Sequence, residues 1–174
     1  MSPMSESRLQ VVMPSLSAKI YQLADLLALD PDPIILVVSA GFRSWAEQDS
    51  LYDQGRSLPG RIVTNAKGGE SWHNYGVAVD CEPESKELAI DWNPSHPQWK
   101  RMETAGISLG LTSGATWTRL VDAPHFQLTG RFSEGAPDDE AREIYLTQGP
   151  QALWAEINRS GGIGDGRTQT TSSA

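Results

Sequence analysis

The chain has 174 residues, 39% of them hydrophobic, and a formal net charge of −8. That is enough apolar material for one compact domain with a real core, while the acidic balance argues against a nucleic-acid partner and against simple electrostatic attraction to an anionic cell wall. The most apolar run, Ile34 to Val38, has strand length and falls far short of a membrane span.

In chain order, Leu16, Ile20, Leu23, Ala24 and Leu27 recur at helical spacing, predicting a helix from about Ser17 to Leu29 that Pro31 and Pro33 stop. Ile34 to Ser39 reads as a strand. Ser44-Trp45-Ala46-Glu47 is a capping-box pattern opening a helix that Gly55 closes. Ser57 to Gly69 reads as a glycine-containing loop with a short extended piece at Arg61 to Thr64. Gly76 to Cys81 alternates with the period of a half-buried strand, placing Val77, Val79 and Cys81 toward the core and Gly76, Ala78 and Asp80 on the opposite face. Glu82 to Pro94 is polar and expected to be irregular. Pro97 suits a first helical position, and Trp99, Met102, Ala105, Gly106 and Leu109 continue an amphipathic helix. Pro137-Asp138-Asp139-Glu140 places acidic residues at a helix start, and Pro150 begins a further short helix with Leu153, Trp154 and Ile157 on its apolar side. Residues 1–159 read as one domain, and 160–174, rich in Gly, Ser and Thr, as a disordered tail. The expected class is α+β: a small, mainly antiparallel sheet flanked by helices.

Two clusters carry chemistry, Ser71-x-His73-x-x-Gly76-x-Ala78-x-Asp80 and Asp122-Ala123-Pro124-His125-Phe126. Together they supply three residues able to bind a transition metal and one spare carboxylate beside the third. Zinc enzymes that split amide bonds need that set, because three protein ligands leave a position open for water and a nearby carboxylate takes the water's proton. Asn74 and Tyr75 can turn the chain so that the His73 imidazole comes back over Asp80. His125 and Gln127 share one strand face, with Phe126 and Leu128 on the other. Plainer readings stand beside these. Asp122 suits a turn-capping role before Pro124, Arg43 an ion pair with Glu47, and Ser71 a turn. Large aromatics such as Trp72, Trp92 and Trp117 are more often packing than groove lining. Cys81 is expected to be a buried thiol, and as the only cysteine it excludes an intrachain disulfide. His96 is best left as a hydrogen-bonded or surface residue.

The two clusters resemble the zinc D-alanyl-D-alanine carboxypeptidase and L-alanyl-D-glutamate endopeptidase family, peptidoglycan peptidases whose core is shared with the hedgehog signalling domain. Ser39-Ala40-Gly41-Phe42-Arg43-Ser44, with Gln48, Leu51, Tyr52 and Gly55-Arg56, is similar to the family's strand-to-helix passage with its substrate-facing arginine. Gly106 to Trp117 is similar to the family's approach to the second histidine. The likeness covers about residues 34 to 130. It implies one zinc held by His73, Asp80 and His125, Asp122 as catalytic base, and Arg43 polarising the substrate carbonyl or holding a substrate carboxylate. It also implies support of the site by Ser71; among the tryptophans, Trp117 is the best groove-lining candidate because it lies near the second cluster. The carboxypeptidase branch tends to carry glutamate with a tryptophan beside the histidine. Asp122 and Pro124 instead resemble the endopeptidase branch, which includes endolysins of bacterial viruses. The expected partners are therefore peptidoglycan stem peptides, cut between L-alanine and D-glutamate, by a monomer with no nucleic-acid partner and no membrane insertion. Trimming of terminal D-alanine is the alternative, and a non-catalytic, zinc-stabilised binding module a third reading. The first thirty residues lack the features of a secretory signal. Synthesis in the cytoplasm and release to the wall by a pore, a secretion machine or lysis is the matching expectation.

Overall fold

A computed structural model of the chain describes residues 1–84, 93–118 and 121–161. Helices α1 (Pro3–Leu9) and α2 (Pro14–Ala28) precede strand β1 (Ile35–Ala40) and helix α3 (Trp45–Asp53). A 3-10 turn at Trp72–Tyr75 leads into β2 (Ala78–Glu84), and α4 (Pro97–Ser108) is followed by β3 (Thr112–Ser113) and β4 (His125–Gln127). Helices α5 (Asp139–Gln148) and α6 (Pro150–Gly161) close the described chain. The four strands form an antiparallel sheet in the order β1-β2-β4-β3. The α+β expectation therefore holds.

The sheet register fixes which side chains meet. Val79 lies opposite Phe126, and Asp80 opposite His125. Neighbouring positions on a strand face opposite ways, so the first pair points into the core and the second away from it. Phe126 is fully buried against α4, where Gly106 provides the space. A Cβ at Gly106 would meet the Phe126 ring, with Cζ at 2.9 Å. Gly106→Ala gains up to about 1 kcal/mol of helix propensity. Overpacking against a ring with no free volume around it costs more, typically about 1–3 kcal/mol. A lowered Tm in thermal denaturation is the expected outcome, and an unchanged or raised Tm contradicts this packing.

Strand β2 is more enclosed than its alternation suggests. Val77, Ala78, Val79 and Cys81 are all inaccessible to solvent, because β2 runs between β1 and β4 with cover on both faces. The half-buried expectation for the Gly76 and Ala78 face is thus corrected, Asp80 alone remaining partly exposed among Ala78 to Cys81. Gly76 precedes the strand with φ 67°, terminating the 3-10 turn in the left-handed region that favours glycine. Cys81 is the buried free thiol expected, and burial pushes its pKa well above the ordinary value.

Other differences are local. Helix α1 has no counterpart in the sequence expectations. The Ser2 hydroxyl caps it by accepting from the Ser5 N–H at 3.2 Å. It covers the outer edge of β1, with the Ser5 hydroxyl accepting from the Val38 N–H (3.1 Å) and Arg8 Nη1 donating to the Val38 carbonyl (2.6 Å). Helix α2 begins at Pro14, a first-position proline, rather than at Ser17. The extended piece at 61–64 is not a strand. Its loop is tied to α3 instead, through Gln48 Nε2 to the Ala66 carbonyl (2.8 Å) and the Asp49 carboxylate to the Gly68 N–H (2.7 Å). The capping box of α3 is present as read, with Ser44 Oγ accepting from the Glu47 N–H and the Glu47 carboxylate accepting from the Ser44 N–H. Residues 82–84 belong to β2 rather than to an irregular stretch, and 160–161 belong to α6. Trp92 and the remainder of the expected tail lie outside the described residues.

Candidate metal centre

Asp80 and His125 stand side by side on the sheet face turned away from α4, and His73 reaches them from the 3-10 turn. His73 Nε2 lies 3.2 Å from Asp80 Oδ1 and 3.3 Å from His125 Nδ1, and Asp80 Oδ1 lies 3.4 Å from His125 Nδ1. Those spacings provide a test of fit. Ligand atoms at about 2.0–2.1 Å from a common centre, in tetrahedral arrangement, are about 3.3 Å apart. The three edges observed match one face of that tetrahedron, and its fourth corner is left for a non-protein ligand.

The imidazoles are aimed by their outer nitrogens. His73 Nδ1 is 2.8 Å from the Gly41 carbonyl, which only accepts, so Nδ1 carries the proton and Nε2 presents a lone pair inward. His125 Nε2 is 2.9 Å from Gln127 Oε1. The Gln127 amide is itself oriented, because its Nε2 donates to the Glu134 carbonyl at 2.8 Å. His125 Nδ1 therefore also presents a lone pair. Three lone-pair atoms within 3.4 Å of one another repel unless a cation, a proton or a metal, sits among them. Burial opposes ionisation of Asp80, but the neighbouring His73 and His125 more than offset it and hold its carboxyl well below the usual range. Burial alone would lower the His125 pKa, yet its bonding to Asp80 raises it.

Gly41 and Gln127 are thus part of the centre, although by sequence Gln127 only shares a face with His125 and Gly41 has no role. Gln127→Leu removes the acceptor that selects the His125 tautomer, and such losses typically weaken metal affinity by about 10–100-fold. Titration of the metal-free protein with zinc checks this, and an unchanged Kd contradicts the role.

The remaining expected site residues are distributed around a cleft of about 630 Å³ that opens over the metal trio. Asp122, Arg43, Trp117 and Ser71 all line it. The Asp122 main chain is fixed on both sides, its N–H donating to the Gly114 carbonyl (3.0 Å) and its carbonyl accepting from the His125 N–H (3.2 Å). Gly114 leaves no room for a side chain there, a Cβ falling 2.5 Å from the Asp122 carbonyl and 2.9 Å from His125 Cβ. Burial, with the Asp80 charge adding to it, raises the Asp122 pKa above the ordinary carboxylate value. Arg43 pairs with Asp80 rather than Glu47. Its Nη2 is 3.6 Å from Asp80 Oδ2, and its Nη1 donates to Gln48 Oε1 at 2.8 Å. The Trp117 ring lies 5.0 Å from the His125 ring, centroid to centroid, walling one side.

Ser71 differs from its expected part. It precedes the 3-10 turn and borders the cleft, but its hydroxyl makes no hydrogen bond to His73, Asp80 or His125. Asn74 does that supporting work. Fully buried, it accepts from the Gly69 N–H (2.9 Å) and donates to the Arg43 carbonyl (2.8 Å), tying the turn to the Arg43 segment. Trp72 is core, stacked near Tyr75 and Phe132 with its indole N–H on the Ser133 carbonyl. His96 caps α4, accepting from the Gln98 N–H.

Comparison with known proteins places these residues in context. A family profile described as D-alanyl-D-alanine carboxypeptidase matches residues 64–128. Peptidoglycan L-alanyl-D-glutamate endopeptidase CwlK of Bacillus subtilis (strain 168) is 40% identical over 102 residues, 55% of this chain and 61% of that protein. The chain thus spans less than two thirds of that relative's length. Among solved structures, Serratia marcescens L-Ala D-Glu endopeptidase ChiX aligns with a TM-score of 0.57 at 28% identity, over 75% of this chain and 90% of that chain. The LdcB LD-carboxypeptidase aligns with a TM-score of 0.53 at 17% identity, over 84% of this chain and 69% of that one, a likeness of fold alone.

Proposed function

We propose that the chain, which is similar to the D-alanyl-D-alanine carboxypeptidase family profile and to two L-alanyl-D-glutamate endopeptidases, is a zinc peptidase of peptidoglycan stem peptides. The bond it cuts joins L-alanine to D-glutamate. The carrying observation is the trio of His73 Nε2, Asp80 Oδ1 and His125 Nδ1, spaced as one face of a tetrahedron, with a half-buried carboxylate, Asp122, lining the same cleft. The choice of bond is supported by CwlK and ChiX, both named for it.

When bound by those three atoms, zinc supplies a Lewis acid that acidifies water toward neutral pH and polarises a carbonyl oxygen. The chain's own residues do the rest. Asp122 takes a proton from the attacking water as its oxygen bonds to the scissile carbonyl carbon. It returns that proton to the nitrogen as the C–N bond breaks, so an amine leaves. Its raised pKa suits both halves, since the carboxylate is a better base and the carboxylic acid still a competent donor. Arg43, steadied by Gln48 and Asp80, holds a fixed positive charge at the cleft wall where negative charge develops on the carbonyl oxygen. Trp117 excludes water from one side of His125.

Mass spectrometry of a defined stem peptide incubated with the zinc-loaded protein tests this reading. A product with a new D-glutamate amino terminus is expected. Release of free D-alanine moves the protein to the carboxypeptidase branch, and no product from a protein that holds zinc leaves only a binding role.

A further inference from the structure

Two arginines line the cleft, and their circumstances differ. Arg43 is engaged at both terminal nitrogens, by Gln48 and by Asp80. Arg142 projects from the first half of α5, and its Nε is buried without any hydrogen-bond partner, alone in this respect among the described residues. Of the acidic residues lining the cleft, Glu70 accepts from the Lys67 N–H and Asp80 faces His73, His125 and Arg43, and among the described residues no ion pair joins Glu70, Asp80 or Asp122 to Arg142. Several other arginines have acceptors: Arg8 the Val38 carbonyl, Arg101 Asp30 and Asp32, and Arg131 Glu140 and Glu156. A guanidinium is never neutral in a protein and presents a planar fork of donors suited to a carboxylate. A buried donor without an acceptor is a cost that folded proteins rarely carry unless a ligand completes it.

The geometry points to Arg142 as the residue that binds a substrate carboxylate on the departing side of the scissile bond, and so sets specificity there. This rests on the endopeptidase reading. D-glutamate carries two carboxyl groups; one continues the peptide and the other is free beside the nitrogen that leaves. L-alanine, joined through both its ends, has none to offer. The free carboxylate of D-glutamate is therefore the anion nearest the reacting bond, and Arg142 is the cation in the cleft with donors to spare.

The test compares two synthetic stem peptides that differ only at that group, a free carboxylate or its carboxamide. Zinc-loaded wild type is expected to favour the carboxylate peptide in kcat/KM by about 10–100-fold, the usual worth of a charge-assisted pair. Arg142→Gln loses that preference, chiefly through KM, with the carboxamide peptide changed by no more than about twofold, and Arg142→Lys restores part of it. Tm does not fall in Arg142→Gln, because no acceptor within the protein is lost. An equal loss on both peptides, a preference that survives in Arg142→Gln, or a clear drop in Tm with loss on both overturns the assignment. Binding of the D-glutamyl product and its carboxamide, measured by calorimetry, reads the same contact without hydrolysis. If wild type leaves the L-alanyl-D-glutamate bond intact, the endopeptidase reading fails. The binding difference then decides Arg142 separately: tighter carboxylate binding that Arg142→Gln abolishes supports it, and equal binding overturns it.

Discussion

Asp122→Asn is expected to lower kcat/KM by about 10²–10⁴-fold, the usual range for losing a positioned general base, while the protein still binds one zinc. The two halves of that result come from separate parts of the site. Asn keeps the size and the main-chain bonds of Asp122 to Gly114 and His125, so the metal trio is undisturbed. What disappears is the ionisable oxygen proposed to take and return a proton. A thousandfold loss corresponds to about 4 kcal/mol of transition-state stabilisation. The pH profile supplies an independent check. Burial raises the Asp122 pKa, and the base acts only when deprotonated. Activity should therefore fall as pH drops through the pKa of this carboxyl, which the charge of bound zinc lowers in the loaded enzyme. Near-normal turnover in Asp122→Asn removes the residue from the mechanism.

Removal of a metal held by the trio is expected to have the second large effect, on stability as well as activity. His73, Asp80 and His125 present three lone pairs to one another at 3.2–3.4 Å, a repulsion that a cation among them relieves. Zinc at a thousandfold excess over its Kd adds about 4 kcal/mol to the folded state. A chelator should lower Tm accordingly and abolish hydrolysis, and added zinc should restore both. Protons compete for the same position. Bonding to Asp80 raises the His125 pKa, so zinc affinity should begin to weaken, as pH falls, at a higher pH than for a free imidazole of pKa about 6.5. His125→Ala should lose zinc and activity together. A variant that keeps full activity excludes His125 from the metal site.

The metal trio is legible in the sequence because its logic is local. His73 lies in a short turn ahead of Asp80, and Asp80 and His125 fall on segments whose sequence alternates apolar and polar, so a shared face can be read without knowing the partner strand. What aims the ligands is not legible. The Gly41 carbonyl that orients His73 lies 32 residues away, and every residue has a carbonyl, so no residue type announces it. Gln127 can be placed on the His125 face, but its amide is turned by the Glu134 carbonyl across a loop. The supporting role expected of Ser71 falls to Asn74, since Ser71 flanks the turn, Asn74 lies within it, and only packing shows which side chain points inward. Helix α1 escapes a sequence reading for a different reason. Seven residues carry too little periodicity to read, although Ser2 followed by Pro3 is a capped helix start. The loop expected at 57–69 does not add a strand to the sheet at 61–64; Val63 and Thr64 border the cleft. Arg142 carries no signal at all; its place in the cleft comes from where α5 lies.

A crystal structure of the zinc-loaded protein, with anomalous scattering recorded at the zinc edge, tests the central claim most directly. A single peak is predicted, about 2.0–2.2 Å from His73 Nε2, Asp80 Oδ1 and His125 Nδ1, with the outer nitrogens still on Gly41 and Gln127. A peak bound through His125 Nε2, or one away from these three residues, would contradict it.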